Sequence, residues 1–154
     1  MNIVGTINSY AKKIGNIIPE WLIALTMRVS IFFIFWKSVQ TKIEGLTIAG
    51  QHFAFWGVTD SAVLLFEYEY DLPLLPPNIA AYLATFGEFF LSLGILFGLF
   101  TRLSALGLLI MTAVIQIFVY PNAWGVHIVW AAILLYLMRH GAGNVSLDKM
   151  LNQA

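Results

Sequence analysis

Arg28, Lys37, Glu88 and His127 are ionisable side chains set within stretches that otherwise read as lipid-soluble. Each such group costs several kcal/mol inside a bilayer unless it is paired or hydrated, so each calls for a partner or a ligand. Glu88 stands in the middle of "YLATFGEFFLSLGILFG", from Tyr82 to Gly98. It lies about 15 Å along a helix from Asn78, while Arg28 lies about 12 Å along another from Glu20, at ~1.5 Å per residue. In a hydrocarbon core of ~30 Å those depths nearly coincide. A buried ion pair between Arg28 and Glu88 is therefore the expectation. Ala81, Ala84, Thr85 and Ser92 share the face of Glu88, and small residues let helices approach closely. Such a pair either fixes helix register alone or takes part in function.

A second set of groups lies nearer the opposite end of the spans. Lys37 is about 180° round the helix from Arg28 and close to the outer interface, beside Trp36. It either snorkels into the interface or points into a cavity. Thr112, Gln116 and Tyr120 recur at a spacing of four, and His127 stands between Trp124 and Trp130. These groups bring donors to similar depth on three spans. A quinone needs donors aimed at its carbonyl oxygens and an apolar, aromatic slot for its ring. The candidate ligand-binding set is thus Lys37, Gln116, Tyr120 and His127, with Trp36 and Trp124 as walls. "EYEYD" places Glu67, Glu69 and Asp71 on one side of an extended strand, either a cation or partner patch or a solvated loop face. In a rival reading the chain is a small transporter or metal-handling protein. Arg28 and Glu88 then line a pathway, and Glu67, Glu69 and His52 gather cations at its mouth. A third reading is a structural anchor for a partner, with every buried polar group satisfied internally.

Several chemistries are excluded or weakened. The chain has no cysteine, so it carries no disulfide, thiol couple or thiolate metal site. No pair of histidines on facing spans suits a bis-histidine haem, and no Glu-x-x-His motif supports a bridged metal pair. Neither a glycine-rich phosphate loop nor a nucleophile elbow occurs. Zero net charge leaves no basic field for a nucleic-acid partner.

The elements that must position these residues follow from hydropathy. The chain is 60% hydrophobic and 10% charged, against about 25% charged in soluble domains, so its solvent is a bilayer. Four spans are expected, at about 20–41, 78–100, 102–120 and 123–139. The short turns at Thr101 and at Pro121-Asn122 make neighbours antiparallel, with Thr101 and Asn122 as helix caps. Lys12, Lys13, Arg102, Arg139 and Lys149 on one side place both termini in the cytoplasm. Ile3, Ile7, Tyr10, Ile14 and Ile17 form one helical face, read as an amphipathic membrane-surface helix over 1–18, with a partner-binding helix as the alternative. The connection 43–77 is too long and apolar for a plain loop. A short helix capped by Thr59 or Asp60 is expected within it, with Phe55, Val58, Ala62, Leu65 and Phe66 on one stripe. Gly141 and Gly143 end the last span, and a short helix capped by Ser146 is expected in the tail 141–154.

"FWKSVQTKI", "EYEYDLPLLPP", "LATFGE", "GLFTRLSALGLL", "QIFVYP" and "GAGNVSLD", in this order, resemble the DoxX family of small four-span bacterial membrane proteins. The likeness runs from about Arg28 to Asp148. It draws attention to Arg28, Lys37, Glu67, Pro73, Pro77, Glu88, Thr101, Arg102, Gln116 and Asp148. The resemblance implies a single all-α domain over 1–154, an integral four-helix bundle of the bacterial inner membrane. It also implies a redox-accessory subunit, similar to a subunit of a thiosulfate:quinone oxidoreductase, with relatives tied to oxidative stress or copper. Without cysteine, any sulfur relay would lie in a partner. The partners implied are the bilayer, a periplasmic redox or metal-handling protein, or a second copy of the chain.

Overall fold

The computed structural model describes residues 3–151; residues 1–2 and 152–154, the ends of the expected surface helix and tail, lie outside the described part. The long helices are α2 (Glu20–Gln40), α4 (Pro77–Phe97), α5 (Thr101–Val114) and α6 (Trp124–His140), with a π-helical turn, Ile115–Val119, continuing α5. They pack in a closed ring, α2 on α4, α4 on α5, α5 on α6 and α6 on α2. Among the described residues three segments, Glu20–Gln40, Pro77–Phe97 and Thr101–Val119, are long and apolar enough to cross a membrane. The ring closes on Ile31, Phe35, Ile95, Ala105, Leu108, Leu134 and Leu137, all buried. Phe33, Leu103, Ile117 and Ile128 point outward and stay exposed. An apolar exterior round an apolar core suits lipid as the surrounding solvent.

Helix α1 (Ile3–Gly15) buries none of its residues, so its apolar stripe stays exposed among the described residues. Helix α4 starts with Pro77, where a missing N–H costs nothing. It ends at Gly98 in the left-handed region, where the Leu99 amide donates back to the Gly94 carbonyl at 2.8 Å. A side chain at Gly98 would meet Ser146 and the guanidinium of Arg28, so this glycine also permits close packing.

The connection between α2 and α4 holds three features. Strands β1 (Thr47–Ile48) and β2 (Gln51–His52) form an antiparallel hairpin that the sequence reading does not anticipate. Its two-residue turn, Ala49-Gly50, has positive φ at both positions, as a type I′ hairpin requires. The short helix is α3 (Asp60–Leu65), and Thr59 is its cap, accepting from the Ala62 amide at 3.1 Å. Phe55 and Val58 precede this helix rather than belonging to it.

"EYEYD" is not an extended strand. Phe66–Tyr70 is a second π-helical turn, closed by the Asp71 amide donating to the Phe66 carbonyl at 3.1 Å. The helical path stacks Phe66 on Tyr70, with centroids 4.7 Å apart, and so keeps both aromatics on one face. Glu67, Glu69 and Asp71 therefore do not line one edge. Two expected caps also move. Helix α5 begins at Thr101 itself, and its hydroxyl is buried without a hydrogen-bond partner among the described residues. The cap is Asp148, whose Oδ1 and Oδ2 accept from the amides of Phe100 at 2.7 Å and Thr101 at 2.9 Å. Helix α6 starts at Trp124, so Asn122 comes one residue too early to cap it. Ser146 does cap α7 (Leu147–Met150), and Gly141 follows the end of α6.

Candidate functional site

Arg28 and Glu88 are both buried, but not against each other. Arg28 donates from Nε to the Ile95 carbonyl at 2.8 Å, from Nη1 to Val145 at 2.6 Å and Ala142 at 3.2 Å, and from Nη2 to Leu96. Those carbonyls lie at the end of α4 and in the segment before α7. Asp148 adds charge complementarity there, and its amide donates to the Gly98 carbonyl at 2.7 Å. The expected Arg28–Glu88 pair is thus overturned. Arg28 meets α4 seven residues beyond Glu88, about 10 Å further along at 1.5 Å per residue. Equal depth below the two helix ends assumed that the ends are level, and α2 and α4 are slid past one another.

The partner of Glu88 is Lys42, at 2.9 Å, with both side chains buried. Lys42 sits just past the end of α2, and its side chain reaches back to Glu88 and Ser38. Its Nζ donates to Glu88 Oε1 at 3.1 Å, to Glu88 Oε2 at 2.9 Å and to Ser38 Oγ at 2.6 Å. Ser38 passes its own hydroxyl proton to Glu88 Oε1 at 3.1 Å. Every donor in this triad is directed inward, at the carboxylate or at Ser38.

Glu88 also faces a cavity of about 460 Å³ between α2, α4, α5 and α6. Its walls are mostly apolar, with Phe35, Phe66 and Trp130 supplying rings and Ser38, Glu88, Tyr70, Tyr120 and His127 supplying polar atoms. Both π-helical turns border it, through Phe66 and Tyr70 on one side and Ile115 and Val119 on the other. Tyr70 and Tyr120 meet edge to face at 6.1 Å where the turns approach. Such turns widen a helix locally and recur at functional sites. The Tyr120 hydroxyl donates to Glu69. Burial raises the Tyr70 hydroxyl above the ordinary tyrosine range, with the charge of Glu88 adding to the effect, so Tyr70 remains a neutral phenol.

His127 is buried, and the turn at Ile115–Val119 brings Gln116 against it. Gln116 Nε2 donates to the Pro121 carbonyl at 2.7 Å, which leaves Oε1 directed at His127 Nδ1, 2.8 Å away. A carbonyl accepts only, so Pro121 orients the amide, and the amide oxygen then requires the proton on Nδ1. In the neutral ring, Nε2 is left as an acceptor, with no protein hydrogen bond among the described residues. The ring packs on Trp130 at 4.9 Å.

The six candidate ligand-binding residues do not converge on one cavity. Tyr120 and His127 line the one just described, with Gln116 behind His127. Trp36 and Lys37 line a separate groove of about 820 Å³ with Gln51, His52 and Phe53. Trp36 is buried there, its indole N–H donating to Gln51 Oε1 at 2.7 Å. Trp124 is exposed. The hairpin explains the division: it covers the Trp36 face of α2, while Ser38 and Phe35 turn to the bundle interior. His52 is engaged with Thr47 across the hairpin rather than with Glu67 or Glu69. No three His, Cys, Asp or Glu side chains gather into a metal-sized cluster among the described residues.

Lys42, Ser38 and Tyr70 belong to the site and are not singled out by the sequence reading. Ser38 and Lys42 are four apart, a spacing that puts them on one helix face, and this was a usable signal. Tyr70 was hidden by reading its segment as a strand.

The DoxX family profile matches residues 23–121, which take in α2, the hairpin, both π-helical turns, α4 and α5. No curated protein and no solved structure matches the chain. The family match covers most of the chain, and three apolar helices of membrane-spanning length lie within or across its bounds. The chain belongs to the DoxX family and is a multi-pass membrane protein.

Proposed function

We propose that this protein is a redox-accessory membrane subunit that holds a quinone-class ring in the cavity between Glu88 and His127. The observation that carries the reading is an apolar cavity of about 460 Å³ walled by aromatic rings and carrying a few polar groups. That combination suits a flat amphiphile, and the volume lies in the range of small-molecule sites. Phe35, Phe66 and Trp130 would flank the ring; Glu88, Tyr70 and His127 would orient its oxygens. Quinones supply two-electron, two-proton chemistry when bound. The chain itself has no thiol, so a partner protein would supply electrons.

In this reading the chain crosses the bacterial inner membrane four times, α6 being the fourth span, with both termini in the cytoplasm. Helix α1 lies on the inner leaflet, with Lys12 and Lys13 at its basic end. The hairpin and the exposed Glu67, Glu69 and Asp71 then face the periplasm as the docking side for a redox partner. Single cysteines at Asp60 and Met150 are expected to label from opposite sides of sealed vesicles, Asp60 from outside. Labelling of both from one side would sink the orientation.

Occupancy of the cavity has its own test. Decylubiquinone should quench the tryptophan fluorescence of the purified protein saturably, through Trp130. Ala84→Phe, which adds bulk to the cavity wall, should remove the saturable phase. Absence of saturable quenching in the parent by both decylubiquinone and its reduced form, decylubiquinol, defeats the quinone reading.

A further inference from the structure

We infer that the cavity is built for the reduced, hydroxyl-bearing form of its ring, an aromatic diol of the hydroquinone class, rather than for the dicarbonyl form. The inference rests on the proposed quinone-class occupancy and concerns which hydrogen-bonding character the walls demand.

At the Glu88 wall, Lys42 directs its ammonium hydrogens at Glu88 and Ser38, and Ser38 directs its hydroxyl hydrogen at Glu88. A carboxylate has about four acceptor sites on its two oxygens. Oε1 accepts from both Ser38 and Lys42, whereas Oε2 accepts from Lys42 alone. Oε2 therefore retains a lone pair. At the His127 wall, the chain from Pro121 through Gln116 holds the imidazole proton on Nδ1 and leaves Nε2 as a lone-pair acceptor. At the mouth, Tyr120 commits its hydroxyl hydrogen to Glu69. Tyr70 is the remaining polar group of the wall with a rotatable hydroxyl, and it lies within hydrogen-bonding reach of the Tyr120 hydroxyl.

Two walls thus offer acceptors whose donors are directed elsewhere. A dicarbonyl ring brings acceptors of its own, and a carbonyl oxygen set against a buried carboxylate or Nε2 leaves both unsatisfied. A buried polar group without a partner carries the uncompensated cost of its lost hydration. An aromatic diol brings a hydroxyl hydrogen to each acceptor. Sites built to hydrogen-bond a substrate hydroxyl discriminate strongly against the analogue that lacks it. In this arrangement His127 and Glu88 would bind the ligand directly. Gln116 is a positioning residue, acting only through the tautomer of His127.

The test compares the two redox forms on the parent protein under argon. Decylubiquinol, kept reduced with excess dithionite, and decylubiquinone are titrated separately by equilibrium dialysis. The diol is expected to bind at least about tenfold more tightly, the equivalent of about 1.4 kcal/mol. His127→Leu should reduce that ratio to near unity by weakening diol binding. Gln116→Leu should also narrow the ratio while leaving dicarbonyl binding intact, because Nε2 is then free to carry the proton; a merely structural loss would weaken both forms alike. Equal affinity of the two forms, or tighter dicarbonyl binding, overturns the inference while leaving quinone-class occupancy standing. Binding of neither form overturns both.

Discussion

The centre round Arg28 and the centre round Glu88 are assembled from the same two helices, and both bury a charge. They spend it differently. Arg28 donates to four backbone carbonyls and borders neither cavity, so its hydrogen bonds join the end of α4 to the segment before α7. Glu88 is held by two side chains on α2 and its connection, and it faces open volume with a lone pair to spare. A buried charge saturated by backbone is a fastening. A buried charge that adjoins a void is available to a ligand. Burial alone does not separate these roles; the identity of the partners does.

The largest effect is expected at the Arg28 fastening. Arg28→Met leaves several carbonyls without donors and is expected to cost roughly 3–5 kcal/mol of stability. Chemical unfolding in detergent measures the loss, while diol affinity per folded molecule should be unchanged. A mild effect on stability, or a selective loss of ligand binding, would show that the two centres are not divided as described.

The second test sharpens the contrast at Glu88. Lys42→Met and Glu88→Leu each strand a buried charge and should each cost about 2–4 kcal/mol, somewhat less than Arg28→Met because the cavity lets water relax in. The double variant should be milder than the sum of the singles, a coupling of about 0.5–3 kcal/mol for groups in contact. Unfolding of all four proteins closes the cycle, and simple additivity would mean that the pair seen here is not an energetic unit.

Tyr120→Phe should have the smallest effect, under about 1.5 kcal/mol, since it removes one exposed hydrogen bond to Glu69. Its readout is the off-rate of the diol, which should rise if joining the two π-helical turns restrains the cavity mouth. A stability loss approaching that of Arg28→Met would mean that the mouth is part of the framework.

Much of the scaffold was legible in the sequence because its causes are local. Apolar runs mark the helices to within a few residues, Gly141 ends the last of them, and Thr59, one of two expected caps, and Ser146 do cap their helices. The polar character of Gln116 and His127 amid apolar neighbours singled them out, although not their contact with each other. Burial of Arg28 and Glu88 was also readable, because a charge in an apolar span must turn inward.

Which charge meets which was decided only by tertiary structure. Helix periodicity states which face a residue occupies and says nothing about how far one helix slides along its neighbour. A slide of about 10 Å moves Arg28 from Glu88 to Ile95 and brings Lys42 to Glu88. Likewise, Asp148 caps α5 from 47 residues away in sequence, a contact that no local pattern encodes. The hairpin that separates Trp36 from His127 has the same character, since its register matters only through what it covers. Sequence determined the solvent, the helices and the residues that cannot face lipid; packing between helices chose their partners, because sliding and rotation are set by the sum of many side-chain contacts rather than by any one residue.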